Sequence, residues 1–437
     1  MNKQNQLQKL SDASFALEGS QARARLMRLF DESTFIEIDR LVQDGDKPAE
    51  VVVGFGSVDG NPVYAFAQDR DVCFGAIGKV QAAKICKTYQ LAAQNGAPVV
   101  GLFDSDGAKL GEGVDAMDSI AEILFASNNL SGVVPQIAVI VGACVGSSSI
   151  VAANSDIVIA AKGCDYYLNP GDENAQADLI AEDADDAINI ARKLITMLPS
   201  NNLSVSAAYD FDSAVMPLCD SIKDVIKAVS DPDTAVVLGF GTNETVIARI
   251  GGIVCGLVTL AEEKLSGDEA SRIARFVRLC DGFSLPVITF VDTEGFSSLQ
   301  GAAKLSHAYA EATTAKITII VGKAYGSAYI TVAGKAAGAD IVFALPSAVI
   351  LPLAPQAAIH IFWKDRLADL KNPVEDRKKL SEEFAQTQGD ALTAASKGIV
   401  TDVIAPSEIK SKLIAVLDML SSKRVSRLSK KHSNIVL

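Results

Sequence analysis

One order of elements occurs twice in this chain, and any fold it adopts has to hold both copies. Ile317-Thr-Ile-Ile-Val321 is a β-branched run without alternation, the pattern of a strand buried on both faces of a parallel sheet. It leads into Gly322-Lys-Ala-Tyr-Gly326-Ser327-Ala328, small residues that predict a tight strand-to-helix turn. A small-residue helix over 328–337 and a second buried strand over 341–345 are expected to follow. The same order stands at Ile137-Ala-Val-Ile-Val141, Gly142-Ala-Cys-Val-Gly146-Ser147-Ser148, an Ala/Ser helix and Asp156-Ile-Val-Ile-Ala160. Upstream, Ala82-Ala-Lys84-Ile85-Cys-Lys87 precedes Pro98-Val-Val-Gly-Leu-Phe-Asp104 as Ala270-Ser-Arg272-Ile273-Ala-Arg275 precedes Pro286-Val-Ile-Thr-Phe-Val-Asp292. A duplication of this length predicts two like α/β domains, and 437 residues exceed what one core usually holds. The breaker-rich run Leu198–Ser204 places the boundary, giving domains 1–205 and 206–437.

Further elements follow from pattern. Residues 21–30 have the spacing of an amphipathic helix, with Leu26, Met27, Leu29 and Phe30 on its buried side. Residues 51–66 read as a hairpin turning at Asp59-Gly60-Asn61, and 246–260 repeat it with Gly251-Gly252 at the corner. Helices are expected over 79–94, 185–198 and 407–421, with a solvated or interface-bound basic tail over 423–432. Two long uncharged stretches, 123–155 and 341–363, are broken by Gly, Ser, Asn or Pro and read as buried core rather than membrane spans.

Several function classes are excluded or left without support. A net charge of −13 argues against a nucleic-acid surface. Seven scattered cysteines (73, 86, 144, 164, 219, 255 and 280) form no C-x-x-C pair, so no zinc ribbon or thioredoxin-like site is available and no metal is expected. A cytoplasmic location is expected, because the first fourteen residues lack the apolar core of a signal peptide. Only His307, His360 and His432 could serve a Ser-His-Asp hydrolase, and there is no G-x-S-x-G elbow, P-loop or dinucleotide fingerprint. What remains is two glycine turns, each matched by a polar loop after a buried strand, the first over Asp104 to Lys109. Backbone N–H groups at such turns suit reactions in which negative charge grows on a carbonyl oxygen.

The segments DSDGAKLGEGV (104–114), VPQIAVIVGACVG (134–146), VDTEGF (291–296), AYAEAT (308–313), GKAYGSAY (322–329) and KKHSNIVL (430–437) carry a family likeness that spans nearly the whole chain in order. The chain resembles the carboxyltransferase components, beta- or alpha-type subunits, of biotin-dependent acyl-CoA carboxylases and acyl-CoA decarboxylases. That resemblance implies two tandem crotonase-like domains of the ClpP/crotonase superfamily. The first would bind the acyl-CoA and the second biotin on a separate carrier protein, since this chain has no Met-Lys-Met attachment motif. Carried over by position, Gly146 and Ser147 fall where the family holds the acyl-CoA thioester oxygen. Ser327 and Ala328, after Gly326, fall where it holds the ureido oxygen of biotin. Lys79, Lys84, Lys87, Gly107, Ala108 and Tyr325 are the expected coenzyme A and biotin contacts. The family pairs unlike domains of neighbouring subunits, which implies a homo-oligomer, a dimer or a hexamer. A biotin carboxyl carrier protein is the implied partner, together with a biotin carboxylase or a membrane decarboxylase subunit.

Departures from the family pattern leave other readings open. Ser147-Ser148-Ser149 stands where Gly-Gly-Ala is usual, and Lys109 and Gly111 stand for Arg and Gln. The glycine-rich insertion after Tyr167 is cut to Asn169-Pro-Gly-Asp-Glu, and the loop after Phe296 to Ser297-Ser-Leu-Gln-Gly301. Absence of the four-cysteine ribbon separates the chain from the split bacterial acetyl-CoA carboxylase subunit. A non-catalytic scaffold subunit remains an alternative. So does a crotonase-like hydrolase or isomerase using Asp104, Glu112, Asp292 or Glu294 as base.

Overall fold

The structure is a computed structural model that describes residues 6, 9, 19–45, 47–49, 51–209, 222–239, 241–368 and 372–434. Nearly all of the N-terminal segment, Cys219 and the last three residues of the closing motif lie outside the described residues. The chain divides into two compact units, Met1–Ser206 and Ala207–Leu437.

Each unit is built on an eight-stranded sheet with the same order of connections. In the first, strands Ile36–Ile38, Val51–Val58, Asn61–Gln68, Val99–Ser105, Gln136–Val145, Ile157–Ala161 and Leu179–Ala181 lie side by side, and Asp165–Tyr167 pairs the far end of Gln136–Val145. In the second the order is Val236–Leu238, Thr245–Ile250, Ile253–Leu260, Val287–Thr293, Lys316–Tyr325, Ile341–Ala344 and Asp402–Val403, with Val349–Leu351 on the far end of Lys316–Tyr325. Both begin with antiparallel hairpins whose two-residue turns have positive φ, 46° and 80° at Asp59 and Gly60 and 59° and 79° at Gly251 and Gly252. That left-handed pair matches the twist of the strands, as the Asp-Gly and Gly-Gly sequences predict. Every later neighbour is parallel, and the central crossovers into Val99–Ser105, Gln136–Val145, Val287–Thr293 and Lys316–Tyr325 each run over a helix.

The crossover helices follow from their caps and apolar spacing. Helix Lys79–Asn95 starts where the Gln81 side chain accepts the Gly78 N–H, at 3.0 Å, and ends at Gly96 with φ 60°. Its counterpart Gly267–Gly282 starts in a capping box of Ser266 and Glu269 and buries Ala270, Ile273, Ala274, Val277 and Cys280. Under each sheet lies an apolar core, with Phe66, Tyr89, Phe103, Ile123 and Ile140 in one and Leu257, Phe290, Ile319, Leu345 and Leu413 in the other. Phe66 and Phe103 meet edge to face at 5.4 Å.

In both units the central parallel ladder slips at the same place. Phe103 pairs with Ile140 and Ser105 with Cys144; Val291 pairs with Ile320 and Thr293 with Ala324. An aspartate occupies each slip. Asp104 Oδ1 accepts the Ala143 N–H at 3.1 Å, and Asp292 Oδ1 accepts the Lys323 N–H at 2.8 Å. Opposite each carboxylate only glycine fits: a Cβ on Gly142 would lie 2.2 Å from Asp104 Oδ1, and one on Gly322 would lie 2.3 Å from Asp292 Oδ1.

Two local expectations change. The helix expected over 328–337 is a π turn, Tyr329–Ala333, then an extended Gly334 and a 3₁₀ turn, Lys335–Ala337. The Tyr329 hydroxyl is held by the Ile399 carbonyl at 3.2 Å and its ring lies against Gly334, so the turn widens and the Gly334 N–H reaches the Tyr329 carbonyl at 2.8 Å. Met27 is 63% exposed, because helix Gln21–Leu29 buries the face of Ala22, Leu26 and Leu29.

The basic tail is tied to the end of helix Leu299–Glu311. Lys423 pairs with Asp340 at 2.7 Å and Arg427 donates to the Ala312 carbonyl at 3.0 Å. Beneath them Lys316, 4% exposed, donates to the carbonyls of Tyr309 and Ala312 at 2.6 and 2.8 Å. Burial, reinforced by the Lys423 charge, pulls its pKa from the ordinary 10.5 down to about 8.

Two stability measurements test these features. Gly322→Ala should lower stability by about 1–3 kcal/mol through overpacking against Asp292, seen as a lower melting temperature. Gly111→Ala, with nothing within 4 Å of the added Cβ, should change it by less than about 0.5 kcal/mol. For Lys316, the unfolded chain keeps its proton up to the ordinary 10.5 while the folded chain releases it near 8. The unfolded state therefore binds more protons between those values, and stability rises with pH across that window. Urea midpoints at pH 8 and pH 10 should show this rise in the wild type relative to Lys316→Met, and parallel pH curves would remove the assignment.

Candidate active site

Each long central strand ends in a glycine that turns the chain into a helix. Gly146 has φ 60° and ψ −133°, and Gly326 has φ 37°, conformations that disfavour a side chain. Their own N–H groups are bonded, Gly146 to the Tyr167 carbonyl at 3.1 Å and Gly326 to the Leu351 carbonyl at 2.9 Å. Gly146, expected to be one of the first donor pair, thus shapes the turn while its N–H secures the short strand Asp165–Tyr167. The amides left at the head of helix Ser147–Ala153 are those of Ser147 and Ser148, which have no acceptor within the helix. In the second unit the Ser327 and Ala328 amides stand in the same position, ahead of the π turn Tyr329–Ala333.

A loop of one design lies over each turn. Asp104-Ser105-Asp106-Gly107 and Asp292-Thr293-Glu294-Gly295 share the pattern acid, hydroxyl, acid, glycine. Ser105 Oγ accepts the Gly107 N–H at 3.0 Å, and Thr293 Oγ1 accepts the Gly295 N–H at 3.3 Å. The two glycine carbonyls accept the N–H groups of Ile77 and Leu265 at 2.8 and 3.0 Å. Both glycines face the turn serine: a Cβ on Gly107 would lie 3.5 Å from Ser147 N and 3.6 Å from its Oγ, and one on Gly295 would lie 2.4 Å from Ser327 Oγ. Ser147 Oγ is buried without a hydrogen-bond partner. The repeated tetrapeptide marks both loops in the sequence, a signal that the strand-and-turn repeat alone passes over.

The four acids proposed as bases are engaged in structure. Asp104 Oδ2 accepts Arg25 Nη1 at 2.7 Å, and Asp292 accepts the Lys323 amide. Glu112 Oε2 accepts the Lys79 N–H at 2.8 Å, capping helix Lys79–Asn95. Glu294 pairs with Lys323 Nζ at 3.0 Å. Lys109 pairs with Asp44 and, at 3.5 Å, with Glu112, so the loop after Gly107 and Ala108 is pinned by charge on both sides.

The three lysines expected near a phosphate separate. Lys84 is 4% exposed and donates to the Val51 carbonyl at 2.7 Å, and burial lowers its pKa. It is an interior anchor, since its position falls on the buried face shared with Gln81, Ile85 and Thr88. Lys87 pairs with Asp39 at 2.7 Å. Lys79 heads the helix, exposed, and makes no side-chain bond among the described residues. Tyr325 lies in a small apolar cluster with Leu351, Ile359, Leu380 and Phe384, and burial pushes its hydroxyl up to about 12, so it stays protonated. Among the described residues no cluster of His, Cys, Asp and Glu could hold a metal, and no helix is long and apolar enough to cross a membrane.

Comparison with known proteins agrees with this architecture. The alpha subunit of methylmalonyl-CoA decarboxylase from Propionigenium modestum is 33% identical over 480 positions, covering 95% of this chain and 93% of that one. The 12S subunit of methylmalonyl-CoA carboxyltransferase from Propionibacterium freudenreichii subsp. shermanii is 31% identical, covering 94% and 91%. These alignments run over more positions than the 437 residues of this chain, so the relatives carry residues that it lacks. A solved transcarboxylase 12S hexamer, with methylmalonyl-coenzyme A and methylmalonic acid bound, superposes with a TM-score of 0.88 at 29% identity over 100% of both chains. Its match carries the expected α/β fold of two tandem crotonase-like domains. The carboxyl transferase domain model matches residues 18–169 and 171–435. With both halves of that domain accounted for and both glycine turns in place, the chain belongs to the carboxyl transferase family.

Proposed function

We propose that this protein is the carboxyltransferase of a biotin-dependent acyl-CoA carboxylase or decarboxylase, moving a carboxyl group between a biotin carrier protein and a short acyl-CoA. The observation that carries the reading is the matched pair of turns, Gly146-Ser147-Ser148 and Gly326-Ser327-Ala328, each beneath an acid-hydroxyl-acid-glycine loop. Carboxyl transfer between two carbonyl compounds builds negative charge on two oxygens, and two preorganised sets of backbone donors answer that need. The Ser147 and Ser148 amides hold the thioester oxygen of the acyl-CoA as the carbon beside it becomes carbanion-like. The Ser327 and Ala328 amides hold the ureido oxygen of biotin, which delivers or accepts the carboxyl group. The acids around the turns fix the scaffold, and none of them is needed as a base in this scheme.

Methylmalonyl-CoA and propionyl-CoA are the proposed acyl partners, because proteins named for them are among the relatives. Lys79 is the proposed contact for a coenzyme A phosphate, since Lys84 and Lys87 are bonded elsewhere. A cytoplasmic homo-oligomer with unlike domains of neighbouring subunits completing each site, a hexamer as in the solved relative, completes the proposal. The residues that the relatives carry and this chain lacks favour one second reading, a scaffold subunit without turnover.

One assay separates the two. Purified protein is incubated with carboxylated biotin carrier and propionyl-CoA, and carboxylate transfer is expected; its absence with every short acyl-CoA tried favours the scaffold. Variants then test the donors. Ser147→Ala and Ser327→Ala keep the amide and should lower turnover only a few-fold. Ser147→Pro removes the amide at the first helical position, where proline is sterically accepted. Loss of one oxyanion donor should cost about 100- to 1,000-fold. Equal damage from Ala and Pro, in variants that scatter and melt like the wild type, would replace backbone donation with hydroxyl chemistry.

A further inference from the structure

The two turns share a scaffold, but among the described residues only the first is locked by a cation from outside the sheet. Asp104 sits in the slipped ladder with Oδ1 on the Ala143 N–H, while Oδ2 accepts Arg25 Nη1 at 2.7 Å. Both side chains are largely buried, Arg25 19% and Asp104 10% exposed. Arg25 comes from helix Gln21–Leu29, whose own head is fixed by Asp69, with Oδ2 accepting the Ser20 hydroxyl at 3.2 Å and the Gln21 N–H at 3.0 Å. The second unit has the corresponding helix, Ile222–Val229, ahead of strand Val236–Leu238 as Gln21–Leu29 is ahead of Ile36–Ile38. Leu29 stands to Ile36 as Val229 stands to Val236, which aligns Arg25 with Val225, a core residue 1% exposed. Asp292 makes the same amide contact as Asp104 and no ion pair among the described residues.

We propose that Arg25 is a positioning residue for the first turn: through Asp104 it holds the slipped end of strand Gln136–Val145, and with it the amides of Ser147 and Ser148, in register for the acyl-CoA oxygen. The inference rests on the carboxyltransferase reading of that turn. The chain of contacts is continuous. Arg25 fixes Asp104, Asp104 fixes Ala143, and three residues later Gly146 turns the backbone into the helix that carries both donors. A small displacement there misaims donors whose value depends on distance and angle. Arginine suits the role because its planar, permanently charged group offers several donors to a carboxylate.

Hydrogen exchange read by mass spectrometry tests the mechanical step without any need for turnover. In Arg25→Met the peptide spanning 141–150 should exchange at least about tenfold faster than in the wild type, while the peptide spanning 321–330 stays unchanged as an internal control. Asp104→Asn, which keeps an oxygen for Ala143 and loses the ion pair, should show the same local change if Arg25→Met folds poorly. In turnover, Arg25→Met should lower kcat about 10- to 100-fold with KM for the acyl-CoA within about twofold, Arg25→Lys should recover part of it, and the double variant should be no worse than Asp104→Asn. Unchanged exchange at 141–150 in folded variants, or a uniform rise across the unit, overturns the assignment. A wild-type protein without transfer activity would remove the carboxyltransferase reading, and the exchange comparison would still decide whether Arg25 holds the turn.

Discussion

A carboxylate inserted into a parallel ladder is the contact on which the rest of this architecture depends. In an unbroken parallel sheet the strand Gln136–Val145 would continue level with Val99–Ser105 and present its last amides to a neighbour. Asp104 takes the Ala143 amide instead, and the ladder resumes with Ser105 opposite Cys144. The freed end pairs with the three-residue strand Asp165–Tyr167, which uses the Gly146 N–H. The next two amides have no strand left to bond. Helix geometry then keeps them unpaired, because the first turn of a helix has no internal acceptor. Asp292, Lys323, Gly326 and Leu351 repeat the device in the second unit.

Against that common frame the differences stand out as departures with physical causes. After Gly146 the chain makes an ordinary α-helix; after Gly326 it makes a π turn, because Tyr329 is held by the Ile399 carbonyl and needs the space that Gly334 leaves. The first unit has Arg25 where the second has an apolar Val225.

Much of this was legible in the sequence, for reasons that can be named. Asp59-Gly60 and Gly251-Gly252 specify left-handed turns, so both hairpins and their registers follow from local chemistry. The β-branched runs around Val139 and Ile319 specify central parallel strands. The inward turn of Lys84 was also present in the pattern, since Gln81, Lys84, Ile85, Thr88 and Ala92 recur at helical spacing. A charged side chain at such a position invites a surface reading, and only the Val51 carbonyl waiting at 2.7 Å reverses it. The engagement of the Gly146 and Gly326 amides was not legible. It depends on strands of three residues, Asp165–Tyr167 and Val349–Leu351, too short to carry periodicity and positioned by non-local pairing. The π turn likewise depends on Ile399, seventy residues from Tyr329.

On the proposed reading, in which the turn amides are the donors, the site would tolerate sequence change that a side-chain site would not. Where donors are amides, the residue that bears them is free to vary as long as its side chain finds room, and that room is set by the loop above. Ser327 Oγ would come within 2.4 Å of a Cβ on residue 295, and Ser147 lies in ordinary contact distance of one on residue 107. Glycine at 295 is therefore a spatial requirement of serine at 327, while at 107 the close neighbour of an added Cβ is the Val145 carbonyl, 2.9 Å away; both positions also adopt positive φ, 98° and 135°. The constraint runs in both directions. A bulkier loop residue would need a smaller turn residue, and a bulkier turn residue would push away the loop whose aspartate sets the register. Sequence freedom at the turns is thus bounded by the same carboxylate that sets their register.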